Sequence, residues 1–261
     1  MSSTIAFSDV WVEYGDQIVL ERLNLQIAPG SFVSLVGPSG AGKSTMLRMI
    51  LGQEQPTRGQ IRLDGVPMSP EPGPDRGVVF QRYSVFPHLT VLGNVLLGFE
   101  FAASPLTARL FGTARKAAIE KCDALIEAVG LAEHRDKNPH QLSGGMQQRL
   151  AIAQALAKEP KVLLLDEPFG ALDPGTRVQM HELIKPLWRE RGMTIVMVTH
   201  DIKEAFALGT RLIALDKKRR DPQAPERFGA IITYDLDLTR DSVVPVLGFK
   251  PLPPAQSQGA H

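Results

Sequence analysis

The sequence predicts an α/β protein: a mainly parallel sheet covered on both faces and interrupted by a helical insertion. Three observations carry this expectation. Short, nearly unbroken apolar runs at residues 31–36, 161–166 and 194–199 alternate with helical patterns, as strands buried on both faces do. A glycine-rich turn, residues 37–45, joins the first of these runs to a short helical pattern that stops at Gly52. From Phe86 to Lys158 the apolar spacing is helical, without a convincing strand.

Taken in order, residues 5–12 alternate loosely and read as a strand, as do residues 23–27 before the Pro29-Gly30 turn. Residues 59–65 read as a strand closing in a turn. A connection carrying Pro67, Pro70, Pro72 and Pro74 follows, stiffened by its prolines. Residues 77–81 form a short buried strand ending at Gln81. The helical segments are 91–99, 114–129 and 143–158, after which a helix at 176–191 separates two of the apolar strands. Strands at 211–215 and 229–238 close the order, and the Pro/Gln/Ser/Gly-rich stretch beyond them is expected to be disordered. No internal repeat is visible. The division expected is a discontinuous core at 1–86 and 159–240, a helical unit at 87–158, and a flexible tail at 241–261.

Composition narrows the classes. The 261 residues suffice for a substantial core, and 43% hydrophobic with 22% charged residues is the balance of a water-soluble globular protein. A formal charge of +1 gives no bulk-charge reason to expect nucleic-acid binding. The single cysteine, Cys122, excludes an internal disulfide and fits a reducing compartment. The N-terminus lacks a signal-peptide layout. The most apolar long window, residues 89–103, is broken by Asn94 and Glu100, so no membrane span is expected. The basic run Lys217-Lys218-Arg219-Arg220 reads as a solvated loop, with lipid headgroups as the alternative contact.

The turn Gly37-Pro38-Ser39-Gly40-Ala41-Gly42-Lys43-Ser44-Thr45 has the strand-before, helix-after setting of a phosphate-binding loop. Its glycines let main-chain amides curl round phosphate oxygens, and the following helix points its partly positive end at the same anion. Lys43 would reach the β- and γ-phosphates and Ser44 would offer a hydroxyl to Mg²⁺. Asp166 and Glu167 end an apolar strand, which in an open sheet brings them to the ligand edge. Asp166 suits Mg²⁺ through its water shell. Pro168 biases Glu167 to an extended backbone, turning its carboxylate away from Asp166, where it could deprotonate an attacking water. Gln81 and His200 end strands at the same edge, Gln81 for Mg²⁺ or the water and His200 for the γ-phosphate. Tyr14 reads either as a ring stacked on adenine or as a half-exposed strand end.

Leu142-Ser143-Gly144-Gly145-Met146-Gln147-Gln148-Arg149 opens another helix, with Ser143 as N-cap and Met146, Leu150, Ala153 and Ala157 on the buried face. Two glycines in a first turn weaken a helix by up to about 1 kcal/mol each. Close approach to a second anion explains that cost, and since the chain has one phosphate loop, the anion would belong to another copy.

With these residues in place the chain resembles the ATPase subunit of an ATP-binding cassette (ABC) transporter. Residues 37–45 match that family's Walker A, Gln81 its Q-loop and residues 142–146 its signature, with Met146 where glutamine is usual. Residues 162–167 match Walker B, Ala171-Leu172-Asp173 the D-loop, with Gly170 in place of a common serine, and His200 the switch histidine. Tyr14 fits the adenine-stacking position. The resemblance runs from about residue 5 to 216. It implies a P-loop NTPase (RecA-like) core with an N-terminal antiparallel β subdomain and an inserted α-helical subdomain.

It further implies ATP and Mg²⁺ as cofactors and a head-to-tail homodimer, each ATP lying between one copy's Walker A and the other's Ser143, Gly144 and Gly145. Transmembrane permease subunits would dock near the Q-loop. Tyr83, Val85, Phe86 and the Leu89 region form the matching surface, although core packing explains those apolar residues equally. A solute-binding protein would act indirectly. The wording of residues 73–81 and 169–173 resembles the nitrate/sulfonate/taurine importer branch, whose relatives extend to urea- or guanidine-like solutes. The expected place is the cytoplasmic face of the cell membrane. The alternatives are a soluble, non-transport ABC ATPase acting on another macromolecule and a small-molecule kinase. The second leaves residues 142–149 unexplained.

Overall fold

The structure, a computed structural model, describes residues 2–81, 85–103, 110–219, 221, 223–224, 226–239 and 244–245. In chain order the elements begin with β1 (Ile5–Tyr14), β2 (Gln17–Ile27), β3 (Phe32–Val36), α1 (Lys43–Leu51), β4 (Arg58–Leu63), β5 (Val66–Pro67) and β6 (Arg76–Val79). Three helices follow: α2 (Val91–Ala103), α3 (Gly112–Ala128) and α4 (Gly144–Leu156). The chain continues through β7 (Val162–Asp166), α5 (Pro174–Arg191), β8 (Thr194–Val198), α6 (Ile202–Leu208), β9 (Arg211–Asp216), β10 (Ile231–Asp237) and β11 (Val244–Pro245).

Two sheets form. An antiparallel one has the order β2-β1-β4-β5, and a seven-stranded one the order β11-β10-β9-β3-β8-β7-β6. The five strands from β9 to β6 pair in parallel, whereas β10 and β11 add antiparallel at one edge. This is the expected α/β architecture with an antiparallel β portion at the N-terminus. The strands of the large sheet alternate between two cores. Leu163, Leu165, Ile195 and Met197 join a core shared with α2, α3, α4 and α5. Val162, Leu164, Val196 and Val198 join one shared with α1 and the antiparallel sheet. One face is therefore covered by helices and the other largely by a second sheet. That is why the strands carry no polar alternation.

Several elements differ from the sequence expectation. Strand β2 starts at Gln17, not Leu23. Bulges with positive φ at Asp9 (48°) and Arg22 (49°) interrupt the two-residue period of the hairpin and hide its first half from pattern reading. The proline-rich connection contains β5. It is pinned by buried Arg76, whose Nη1 donates to Ile50 O at 3.2 Å and Nη2 to Glu71 O at 3.0 Å, as well as by its prolines. In the basic run Lys218 and Arg219 are exposed, as in the expected solvated loop, although Arg219 also pairs with Glu21 and its guanidinium lies 4.4 Å from the Phe228 ring centre; Arg220 lies outside the described residues. Residues 244–245 of the expected disordered tail form β11 against Leu236 and Asp237. Tail residues 241–243 and 246–261 lie outside the described residues. Cys122 is buried in α3, its thiol pushed up to about 12 chiefly by burial, which makes it unreactive.

Between β6 and β7 the described residues contain only helices α2, α3 and α4 and two short 3-10 turns, so the helical insertion forms as expected. Asn94, which breaks the apolar window, is fully buried. Its amide accepts from Phe86 N at 2.7 Å and donates to Phe86 O at 3.1 Å, fixing the turn that precedes α2.

Candidate active site

Parallel register brings the strand ends together. Leu35 of β3 and Asp166 of β7 both pair with Val198 of β8, and Val79 of β6 pairs with Leu165. The carboxyl ends of β3, β6, β7 and β8 therefore share one edge, and the glycine-rich loop, Gln81, Asp166, Glu167 and His200 all emerge there.

The loop is steric in origin. Gly37 has φ 149°, and a Cβ there would lie 2.2 Å from Leu215 O. Gly42, at φ 80°, caps α1, and its Cβ would meet Leu20 Cδ2 at 2.5 Å. Lys43, nearly buried, donates from Nζ to Gly37 O at 2.8 Å and Pro38 O at 2.9 Å. Its ammonium thus spans the loop that it would share with a phosphate. Ser44 Oγ lies 3.5 Å from Asp166 Oδ1. Burial, and then the charge of Glu167, raise Asp166 above the ordinary carboxylate value, opposed by Ser44, Lys43 and Arg48. A cation beside it would offset that strain. The hydroxyl and carboxylate oxygens offer the hard donors that Mg²⁺ prefers, so the residues fit the metal.

Glu167 departs from expectation. Its φ is 46°, in the left-handed region, where pre-proline bias had suggested an extended backbone. The conformation costs on the order of 1–3 kcal/mol and is held by the surroundings. The Glu167 amide donates to Val198 O at 3.0 Å and its carbonyl accepts from Gly170 N at 3.3 Å. The side chain has different partners from Asp166: Gln81 Nε2 donates to Oε2 at 3.2 Å, and His200 Nδ1 lies 3.5 Å from the same oxygen.

Gly37, Gly42, Lys43, Ser44, Glu167 and His200 line a cavity of about 580 Å³ together with Tyr14, Ser39, Gly40 and Thr45, a volume suited to a nucleotide. Gln81 and Asp166 are not in its lining and bear on it through Glu167 and Ser44. Tyr14 is 49% exposed at this cavity, and its hydroxyl donates to Glu54, which also accepts from Arg48 Nε at 3.1 Å. Sequence reading missed Glu54, and it missed Gln17 and Val19, which line the cavity from β2. The hairpin register was the only signal for the latter two, and the bulges obscured it.

Ser143, Gly144 and Gly145 do not line this cavity. Ser143 caps α4, its Oγ accepting from Met146 N at 3.3 Å, and both Ser143 and Gly144 are exposed. Met146 is only half-buried, a correction to the expected buried face; Gln148 is fully buried instead, beside Leu150 and Ile152. Of the expected docking surface, Val85 and Leu89 are half-buried, Phe86 is exposed, and Tyr83 lies outside the described residues. A separate groove of about 540 Å³ runs between β6, α2 and α4, lined by Phe80, Phe86, Phe101, Pro72, Pro74 and Ala151 among others. Among the described residues no helix is long and apolar enough to cross a membrane.

A family profile described as ABC transporter matches residues 20–170, more than half of the chain. A nitrate import ATP-binding protein of Synechocystis sp. is 44% identical over 78% of this chain and 73% of its own length. A bicarbonate transport ATP-binding protein of the same organism is 43% identical over 87% of this chain and 76% of its own. Among solved structures, a dimeric ATP-binding cassette in a post-hydrolysis state, bound to ADP and phosphate, superposes with a TM-score of 0.69. It is 34% identical, and the match covers 90% of this chain and 99% of that one.

Proposed function

The chain belongs to the ABC transporter family, and from that premise we propose that it powers an importer of a small solute through separate membrane subunits. It is an ATPase, converting ATP and water to ADP and phosphate with Mg²⁺ as cofactor. Nitrate and bicarbonate, named for two relatives, are small oxyanions. A nitrate-, sulfonate- or taurine-like solute is the reading that follows, with a urea- or guanidine-like solute as the alternative.

The observation that carries the catalytic reading is the shared grip of Gln81 and His200 on Glu167, at the rim of a cavity whose floor is the glycine-rich loop. In our reading Lys43 turns from its own loop carbonyls to the β- and γ-phosphates, joined by the amides of residues 37–45 and the positive end of α1. Ser44, and Asp166 through water, would hold Mg²⁺, with Gln81 within reach of it. When bound, that ion neutralises charge on the phosphate oxygens. Glu167 takes the proton of the attacking water, Gln81 helps to place that water, and His200 steadies Glu167 and contacts the γ-phosphate. Tyr14 stacks on the adenine.

Two copies would meet head to tail, so that the exposed Ser143 and Gly144, with Gly145, complete the ATP site of the other copy. Residues 1–86 and 159–240 then act as the ATP-binding core, and 87–158 as the helical unit carrying this tip. The apolar groove beside Phe80 and Phe86 would receive a segment of the membrane subunits, holding the protein at the cytoplasmic face of the cell membrane. The test is reconstitution with its membrane subunits in vesicles. Solute uptake that needs internal ATP and vanishes in Glu167→Gln supports the reading. Co-sedimentation with ribosomes, without membrane subunits, would favour a non-transport ATPase.

A further inference from the structure

Gly145 has a neighbour that the phosphate-approach argument did not include. A Cβ on Gly145 would stand 2.5 Å from Thr176 Cγ2, in the first turn of α5. That distance is below any real carbon–carbon contact, so something would have to shift. The backbone of Thr176 is held in place, so relief would have to come from turning its side chain or lifting the tip of α4. The Thr176 amide donates to Asp173 Oδ1 at 3.0 Å, the N-cap bond that starts α5. One turn further along α4, Arg149 makes a second tie, with Nη2 donating to Gln179 Oε1 on α5 at 3.3 Å and Nη1 to Val129 O at the end of α3 at 3.2 Å. Gly145 is half-buried, whereas Ser143 and Gly144 are exposed.

We propose that Thr176 is a positioning residue: its methyl group occupies the space left by Gly145 and seats the tip of α4 on the turn capped by Asp173. The two exposed segments, Ser143-Gly144 and Asp173-Pro174-Gly175, then move toward a neighbouring subunit as one unit. A contact inside its own chain therefore demands glycine at position 145, in addition to any approach to the nucleotide of the other copy. The inference deepens the proposed dimer and rests on that reading for its functional half.

The test is a double-mutant cycle of Gly145→Ala and Thr176→Ser in the full chain, because serine deletes Cγ2 and keeps the hydroxyl and the capped amide. Two readouts are taken: thermal unfolding, and MgATP-driven association with its accompanying ATPase rate. Gly145→Ala should lower the melting temperature and weaken association about tenfold or more, as overpacked contacts do. Thr176→Ser alone deletes the methyl that seats the tip and should weaken MgATP-driven association about two- to fivefold, with a smaller fall in melting temperature. The double variant should recover both readouts. A double variant as unstable as Gly145→Ala overturns the contact. Recovery of stability without recovery of association overturns the positioning role and returns Gly145 to the nucleotide. If the unmodified chain does not associate with MgATP, the dimer reading falls, and the unfolding cycle still decides the contact.

Discussion

His200 Nδ1 lies 3.5 Å from Glu167 Oε2, although the two residues follow different strands of the large sheet. Parallel pairing of β7 with β8, Asp166 opposite Val198, sets that separation, and the left-handed turn at Glu167 aims the carboxylate. The same oxygen accepts from Gln81, so the carboxylate is held from two sides.

A group so held suits a general base. Glu167→Gln keeps the side-chain shape and loses the base, so kcat should fall about a hundredfold or more while ATP still binds. Steady-state turnover and nucleotide binding on the same preparation check this. Near-normal turnover would remove Glu167 from the role.

Lys43 tests the phosphate loop. Its ammonium bridges two carbonyls of its own loop, so Lys43→Ala removes a charge from a preformed cradle without emptying a core. ATP affinity should fall about a hundredfold or more, since charge-assisted contacts to phosphate are the strong ones. Titration with a fluorescent ATP analogue measures it. Unchanged affinity would contradict the assignment.

Asp166 tests the metal. Chelation by EDTA should stop hydrolysis, and Asp166→Asn should raise the Mg²⁺ concentration for half-maximal rate about ten- to a hundredfold, as loss of an outer-sphere ligand does. A rate indifferent to both would exclude this metal position.

Asp201 predicts a pH effect. Its carboxylate caps α6, accepting from the amides of Lys203 and Glu204, and pairs with Arg177 at 3.0 Å. These contacts, the Glu204 amide first, hold its pKa below the usual 3.8. A depressed folded-state pKa means that stability is present above the unfolded value and is lost as pH falls through the folded one. The melting temperature should therefore drop below about pH 4, and Asp201→Asn, which keeps a capping side chain, should flatten that part of the drop. Asp201→Ala should cost about 1 kcal/mol at neutral pH.

Much of this arrangement was legible from residue order. The apolar strands flanking the glycine-rich loop are buried on both faces, and their alternation between two cores is what erased any polar period. Two places resisted. Bulges at Asp9 and Arg22 broke the period of the first hairpin, so Gln17 and Val19 went unread as cavity residues. At Glu167 the pre-proline preference pointed to the wrong backbone, because a bond to Val198 O and the grip of two side chains outweigh a local bias. The glycine pair at 144–145 was legible as costly, but the contact with Thr176 joins residues on different helices and no local pattern carries it.

The most direct measurement is a cryo-EM or crystal structure of the Glu167→Gln variant trapped with MgATP. The account predicts a head-to-tail pair with Ser143 Oγ of one subunit within hydrogen-bond reach, roughly 3 Å, of the γ-phosphate held by Lys43 of the other. A trapped pair whose Ser143 tips face solvent, with each triphosphate enclosed by a single chain, would contradict it.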